Sequence, residues 1–170
     1  MRSVPNSEYL CLWGVSTTAP NTETPVRPAL LVRVATHTCA LNLAHVVEIM
    51  RPLPVEPLAG APSMLLGLSV IRGAPVPVVA LAGLFKDGGA SGRFVIVRAG
   101  RRPVALAVDA VLGICEFAPS VYQAMPPLLR DAAAGLVEAI GTLDSELFFV
   151  LNTASIVPDE FLESLAGQEH

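Results

Sequence analysis

The stretch Gly67 to Phe85, Gly-Leu-Ser-Val-Ile-Arg-Gly-Ala-Pro-Val-Pro-Val-Val-Ala-Leu-Ala-Gly-Leu-Phe, constrains the fold more than any other part of the chain. Two β-rich runs, Leu68–Ile71 and Val76–Leu81, flank Arg72-Gly73-Ala74-Pro75, whose glycine and proline are turn formers, so a hairpin is expected here. Both runs are apolar at nearly every position, which suits strands covered on both faces. Met64–Phe85 is also long enough to cross a bilayer. Arg72, Gly73, Pro75 and Pro77 would then put a charge and freed backbone groups in lipid, so buried strands are the better reading. Arg72 is the one charged residue between Gly67 and Phe85, and at the rim of so apolar a hairpin it must reach water or an anionic partner.

The remaining segments repeat the pattern of short apolar runs broken by turn residues. Leu30–Ala35 and Cys39–Leu43 read as two strands around Thr36-His37-Thr38, followed by a helical turn at Ala44–Val47 and an extended Glu48–Leu53. Pro52, Pro54 and Pro57 then impose loop geometry, and Ser63 is a candidate helix N-cap. Lys86–Gly92, with three glycines in seven residues, is the clearest break between halves. Beyond it, Phe94–Arg98 and Val104–Val108 form a second hairpin, Val111–Phe117 another strand, and Val137–Leu143 with Leu147–Leu151 a third hairpin. Asp131–Gly135 allows a helical turn, and Thr153–Leu165 has loosely helical apolar spacing. Residues 1–29, with four prolines among Ser, Thr and Asn, favour an extended tail. Many short strands and one late helix describe an all-β barrel or sandwich.

Charge and composition exclude several functions. Hydrophobic residues make up 52% of the chain and charged ones 15%, which is incompatible with a mainly disordered protein. A formal charge of −4 and scattered aromatics argue against nucleic-acid binding. Tyr9–Val15 is short, follows Glu8 and lacks a small-residue cleavage site, so no signal peptide is expected. Cys11, Cys39 and Cys115 are odd in number and far apart, which is not a disulfide framework and fits a reducing cytoplasm. Cys115 sits in an apolar strand without a local base, as an inert core thiol would. Asp109 closes a strand without a second carboxylate at a telling spacing, so it reads as a turn former bonding backbone amides. Gly88-Gly89-Ala90-Ser91-Gly92 lacks the Lys-Ser/Thr of a phosphate loop. His37, Cys39 and His45 lie within nine positions and offer three metal donors, but no CxxC pair or fourth ligand stands nearby.

The central hairpin, with Gly67, an apolar run, Arg72-Gly73, two residues, an apolar residue, Pro77 and a strand ending near Leu81, resembles the signature of the CheW family of chemotaxis scaffold proteins. The likeness covers Leu30 to about Leu165. Ala40–Met50 resembles the family's strand and turn leading into an apolar-x-Glu-Ile motif. Val104–Val111 resembles its strand ending in Val-Asp-Gly-Val, and Ile140–Leu151 its Gly-x-Leu and apolar strand. The chain departs from the family where Ala80 and Ala82 replace a common Asp and Arg, and where Ala110 replaces a common Gly.

The resemblance implies an all-β fold of two five-stranded SH3-like barrels with a C-terminal helix. Residues 1–29 would be a flexible extension. The first barrel would span about 30–86 plus 146–165, and the second about 93–145. The implied function is a non-catalytic adaptor, without cofactor, joining the cytoplasmic tip of a chemoreceptor to the regulatory domain of a CheA-type histidine kinase. It would be cytoplasmic, associated with membrane receptor arrays and without direct membrane insertion. Carried over residue by residue, Val46, Glu48, Arg72, Ala105 and Ile114 would face the receptor, and Gly67 would lie near the kinase contact. The competing reading is a small-ligand or metal-binding β-barrel protein, possibly an enzyme, using His37, Cys39 and His45.

Overall fold

A computed structural model describes residues 9–11, 27–61, 64–85, 91–117, 123–124, 136–143, 145–156 and 163 of the 170-residue chain. Twelve strands are formed among them: β1 (Tyr9–Cys11), β2 (Arg27–Val34), β3 (His37–Asn42), β4 (Val46–Met50), β5 (Leu65–Ile71), β6 (Ala74–Ala80), β7 (Arg93–Ala99), β8 (Arg102–Val108), β9 (Ala110–Phe117), β10 (Gln123–Ala124), β11 (Val137–Leu143) and β12 (Glu146–Leu151). They make a seven-stranded sheet in the order β1-β9-β2-β3-β12-β11-β10 and a five-stranded sheet in the order β4-β7-β8-β6-β5. Short β1 and β10 flank five longer strands in the first sheet, so the expected pair of five-stranded units is visible in outline. Neither sheet is closed by strand pairing among the described residues.

The expected hairpins form, and their turns follow from backbone chemistry. Arg72 and Gly73 link β5 to β6 with φ of 53° and 80°, the two positive values that a tight turn matched to strand twist requires. The β2–β3 turn falls at Ala35-Thr36 instead of Thr36-His37-Thr38, and His37 and Thr38 belong to β3. Ala35 adopts φ 54° there, and its amide donates to Asp109 Oδ2 at 2.8 Å. A carboxylate 74 positions away thus supports a turn that local composition did not favour. The expected helical turn is a 3₁₀ turn at Leu43–His45, capped by the Asn42 side chain, which accepts from the Ala44 amide.

Strand pairing brings distant parts of the chain together in each sheet. The five-stranded sheet is one continuous piece of chain, β4 to β8, and the seven-stranded sheet takes strands from both sides of it. Two parallel pairings, β3 with β12 and β6 with β8, carry this exchange. Hairpin signals are local and say nothing about such long-range neighbours.

Each sheet curls around its own apolar interior, and a third core lies between them. Leu30, Val32, Leu41 and Leu151 from the first sheet meet Val79, Val95, Val97 and Leu106 from the second in the shared core. Ile71, Val76, Val78, Phe94, Ile96, Ala105 and Ala107 fill the five-stranded sheet. Phe117 and Phe148 stack at 4.9 Å inside the other. Gly141 stands opposite Phe148 in register, and a side chain there would collide with its ring. Fully burying each Val, Leu or Phe stabilises the fold by about 1.5–3 kcal/mol, so most of the stability resides in these three cores.

The central hairpin corrects one expectation. In β6, Val76–Val79 are buried on both faces, as predicted, and Pro75 and Pro77 precede the stretch 78–80 that pairs with β8. β5 alternates instead, with Leu66 and Val70 exposed, because it is an edge strand. Thr153–Ser155 forms a 3₁₀ turn. The expected helical features at Ser63 and Asp131–Gly135, and most of Thr153–Leu165 and Lys86–Gly92, lie outside the described residues.

Candidate functional site

The sequence between His45 and Met50 is continuously apolar apart from Glu48, so alternation alone would put Val46 and Glu48 on the same face of β4. The structure inserts one extra residue. Val46 pairs with Val97 and Glu48 with Ile96, leaving Val47 as a β-bulge. Parity therefore reverses at Val47. Val46 packs on the shared core, whereas Glu48 joins the face of Ile96, which belongs to the interior of the five-stranded sheet. The bulge keeps a carboxylate away from the shared core, where desolvation would be costly.

Arg72 reaches Glu48 from the β5–β6 turn. Its Nε donates to Glu48 Oε1 at 3.0 Å and its Nη2 to Oε2, a bidentate pair. β4 and β5 are the two edges of the five-stranded sheet, so this pair spans the gap between them. A second link crosses the same gap: the Glu56 amide donates to the Leu68 carbonyl at 2.7 Å and the Leu68 amide to the Glu56 carbonyl at 2.9 Å. The hydrogen bond from Arg72 holds the Glu48 carboxyl below its ordinary range, against a smaller opposing effect of desolvation, with the guanidinium charge adding to the lowering. The Arg72 side chain remains 80% exposed and that of Glu48 24%. Of the five N–H donors of a guanidinium, two serve Glu48, and the rest face outward.

Exposed apolar side chains stand on the two edge strands that the pair joins. Val47, Ile49 and Val70 are exposed large hydrophobics, Val70 at 68%. None of the three stood out in the sequence, because each lies inside an apolar run whose exposed members are set by bulges and edges. The available signal was the position of each beside the Glu48 or Arg72 charge.

Three of the expected site residues share one line across the sheet. Glu48 pairs with Ile96, Ile96 with Ala105, Ala105 with Val78 and Val78 with Gly67, a row through all five strands. Ala105 is fully buried in this row, two strands from Glu48. Gly67 has φ 145°, and a Cβ there would run into the Glu56 carbonyl. Absence of a side chain is what lets residues 54–57 cross β5, where the Ser69 hydroxyl also donates to the Pro54 carbonyl at 2.9 Å. Ile114 lies apart, half-buried on β9 opposite Leu30 and packed on the shared core.

The metal-donor cluster does not assemble. Cys39 is buried in the shared core and burial pushes its thiol up to about 12. His37 lies against the Phe149 ring, and His45 Nδ1 is 2.7 Å from Thr153 Oγ1 on the far side of a turn. Among the described residues no three His, Cys, Asp or Glu side chains come together as a metal site. Cys115 also differs from expectation: it is disulfide-bonded and not a free thiol. Separation along the chain was a poor guide, since the sheet sets Cys115 opposite Cys11 in register. No helix of the described residues is long and apolar enough to cross a membrane.

The structure is thus that of an all-β protein of two sheets sharing a core, with a solvated ion pair across the edges of one sheet. Residues 28–161 match the CheW-like domain model, and the chain belongs to that family. It is 27% identical over 142 residues to a chemotaxis protein CheW of Rhizobium meliloti (strain 1021), covering 81% of this chain and 92% of that protein. A probable chemotaxis protein CheW of Rhizobium etli is 25% identical over 134 residues, covering 76% and 86%. The crystal structure of the scaffolding protein TtCheW from Thermoanaerobacter tengcongensis superposes with a TM-score of 0.67 at 21% identity, over 75% of this chain and 90% of that one. The fold is therefore that of the scaffold, and the chain is a CheW-family protein of chemotaxis signalling.

Proposed function

We propose that this protein is a non-catalytic adaptor that couples the cytoplasmic tip of a chemoreceptor to the regulatory domain of a CheA-type histidine kinase, in the cytoplasm at membrane receptor arrays. The observation that carries this reading is the Glu48–Arg72 pair, held across the open side of the five-stranded sheet, whose edge strands β4 and β5 expose Val47, Ile49 and Val70. Such a rim fits an amphipathic receptor helix: the apolar stripe lies on the valines and isoleucine, and a helix carboxylate takes the outward donors of Arg72. Glu48 orients the guanidinium before the partner arrives, which lowers the ordering cost of binding. Val46 and Ile114 line the shared core and shape the surface above it. Ala105, in the same row as Glu48, belongs to the receptor-facing set, and Gly67, which lets residues 54–57 cross β5, lies near the kinase contact.

The test is binding of purified receptor tip and kinase regulatory domain to wild type and Arg72→Ala. Loss of a charged anchor from such a rim weakens receptor binding by about tenfold or more, while kinase binding and the melting temperature stay as in wild type. Unchanged receptor affinity in the variant removes Arg72 from the contact.

A further inference from the structure

Two hairpin turns stand side by side at one end of the five-stranded sheet. β6 and β8 are parallel neighbours, with Val78 opposite Ala105, and an equal step back from each reaches a turn glycine, Gly73 with φ 80° and Gly100 with φ 65°. Adjacent strands lie about 4.8 Å apart, so Arg72-Gly73 and Gly100-Arg101 make up one end of the sheet. Nothing else in the chain lies within 4 Å of where a side chain would start at either glycine, so both turns are open on the outside. β4 begins at the same end, because Val46 pairs with Val97 just before the β7–β8 turn.

Register thereby gathers charges that the sequence scatters. Arg72 occupies the first turn and Arg101 the second, with Arg98 opposite Pro103 and Arg102 opposite Ala99 on the strands that enter and leave it. Arg98 and Arg101 are exposed, and among the described residues neither side chain is held by a hydrogen bond or an ion pair. Glu48 is the one acidic residue in the five strands, and Arg72 already holds it. The imbalance extends to the whole chain. Residues 46–108, which make the five-stranded sheet, contain seven Lys and Arg against three Asp and Glu, whereas the rest contains four against twelve. A net charge of −4 therefore conceals a basic piece whose arginines collect where β4 begins.

Exposed arginines of this kind add little to stability. Their summed field, which reaches about 10 Å in 0.1 M salt, instead speeds the encounter with an anionic partner. The acidic remainder of the chain repels the same partner, so the molecule meets it with this end forward. We propose that Arg98 and Arg101 are a steering site for an acidic protein segment, which they guide onto the Glu48–Arg72 rim. The assignment of that segment to the receptor tip rests on the adaptor reading. A protein helix suits the site better than an anionic lipid surface, because Glu48 stands within the cluster: a helix can place its carboxylates to either side of Glu48, whereas a layer of headgroups would press against it.

The experiment measures association and dissociation rates of the receptor tip on the full chain and on Arg98→Ala/Arg101→Ala, in low salt and in 1 M salt. The double variant is expected to associate about fivefold more slowly in low salt, with dissociation and melting temperature as in wild type. In 1 M salt, where the screening length is about 3 Å, the two should associate alike. Arg98→Lys/Arg101→Lys should restore the rate, since steering needs the charge and not the guanidinium shape. Association as fast as wild type in low salt, a deficit that persists in 1 M salt, or no recovery with lysine overturns the steering. Arg72→Ala separates the two readings, because loss of that anchor acts on dissociation. Faster dissociation there, with association unchanged in the double variant, leaves the adaptor standing and removes the steering. If Arg72→Ala leaves receptor binding untouched, the adaptor reading fails, and the steering site is judged on a glutamate homopeptide, whose binding must be lost in Arg98→Ala/Arg101→Ala. Phosphatidylglycerol vesicles test the other partner. Vesicle binding that the double variant loses, with receptor and glutamate peptide indifferent to it, assigns the arginines to a lipid surface and overturns the proposal.

Discussion

Glu48 in the five-stranded sheet and Asp109 at the junction of the two sheets each accept hydrogen bonds from a residue far along the chain, 24 and 74 positions away. Glu48 meets a side chain at a solvated rim. Asp109 meets the backbone amide of Ala35 in a partly buried setting, while its own amide donates to the Arg33 carbonyl at 2.9 Å. Asp109 therefore ties the end of β8 to the β2–β3 turn and fixes how one sheet passes into the other. Water screens the first carboxylate and a partner can displace its contact, whereas removing the second leaves a partly buried amide without its acceptor. An acidic side chain within a strand and another just past a strand's end thus serve different purposes, the first presenting a cation and the second holding the frame.

Substitutions that widen or erase this contrast should order themselves by how deeply they reach into the frame. Gly67→Ala is expected to have the largest effect, about 3 kcal/mol of lost stability, because its Cβ meets the Glu56 backbone at an unfavourable φ. Chemical denaturation measures it, and a midpoint equal to wild type would show that residues 54–57 do not depend on the crossing. Asp109→Ala is expected to cost about 1–3 kcal/mol, with Asp109→Asn recovering most of it and receptor affinity of the folded protein unchanged. An Asp109→Ala variant that binds receptor poorly while unfolding normally would erase the distinction between the two carboxylates.

Glu48→Gln should leave the melting temperature in place and reduce receptor binding by a smaller factor than Arg72→Ala. Its pH dependence has a definite sign. The folded carboxyl titrates below its ordinary value of 4.5, so the contribution of the pair is complete above that pH and is lost only as pH falls through the lower folded value. The loss is small because the pair is solvated. An NMR titration of Glu48 is expected to show the lowered midpoint, returned toward 4.5 in Arg72→Ala. The smallest effect concerns Cys39: burial pushes its thiol up to about 12, so native protein at pH 8 holds it as the unreactive thiol. Alkylation of Cys39 should wait for unfolding, and rapid native labelling would place it outside the shared core.

The hairpins and the turn at Arg72-Gly73 were legible in the sequence, because turn residues and β-branched runs act over a few positions. Family resemblance supplied Glu48, Ala105 and Gly67 separately, but their common row through Ile96 and Val78 appears only when five strands are aligned. Val47, Ile49 and Val70 were hidden inside apolar runs, since composition marks a residue as apolar without saying which face it occupies. The division of the chain between sheets was illegible for a related reason. Parallel pairs such as β6 with β8 join segments that no hairpin connects.

By itself the sequence determined that this chain would be β-rich, where it would turn, and that Arg72 would stand at an apolar rim. These are consequences of backbone preferences and local hydrophobicity. Tertiary structure alone decided that Glu48 would meet Arg72, that Ala105 would be buried, and that Cys11 would stand opposite Cys115. A single extra residue at Val47 reverses the face of every side chain that follows in β4. Whether such a residue is accommodated depends on the register of β7 across the sheet, a partner more than forty positions away.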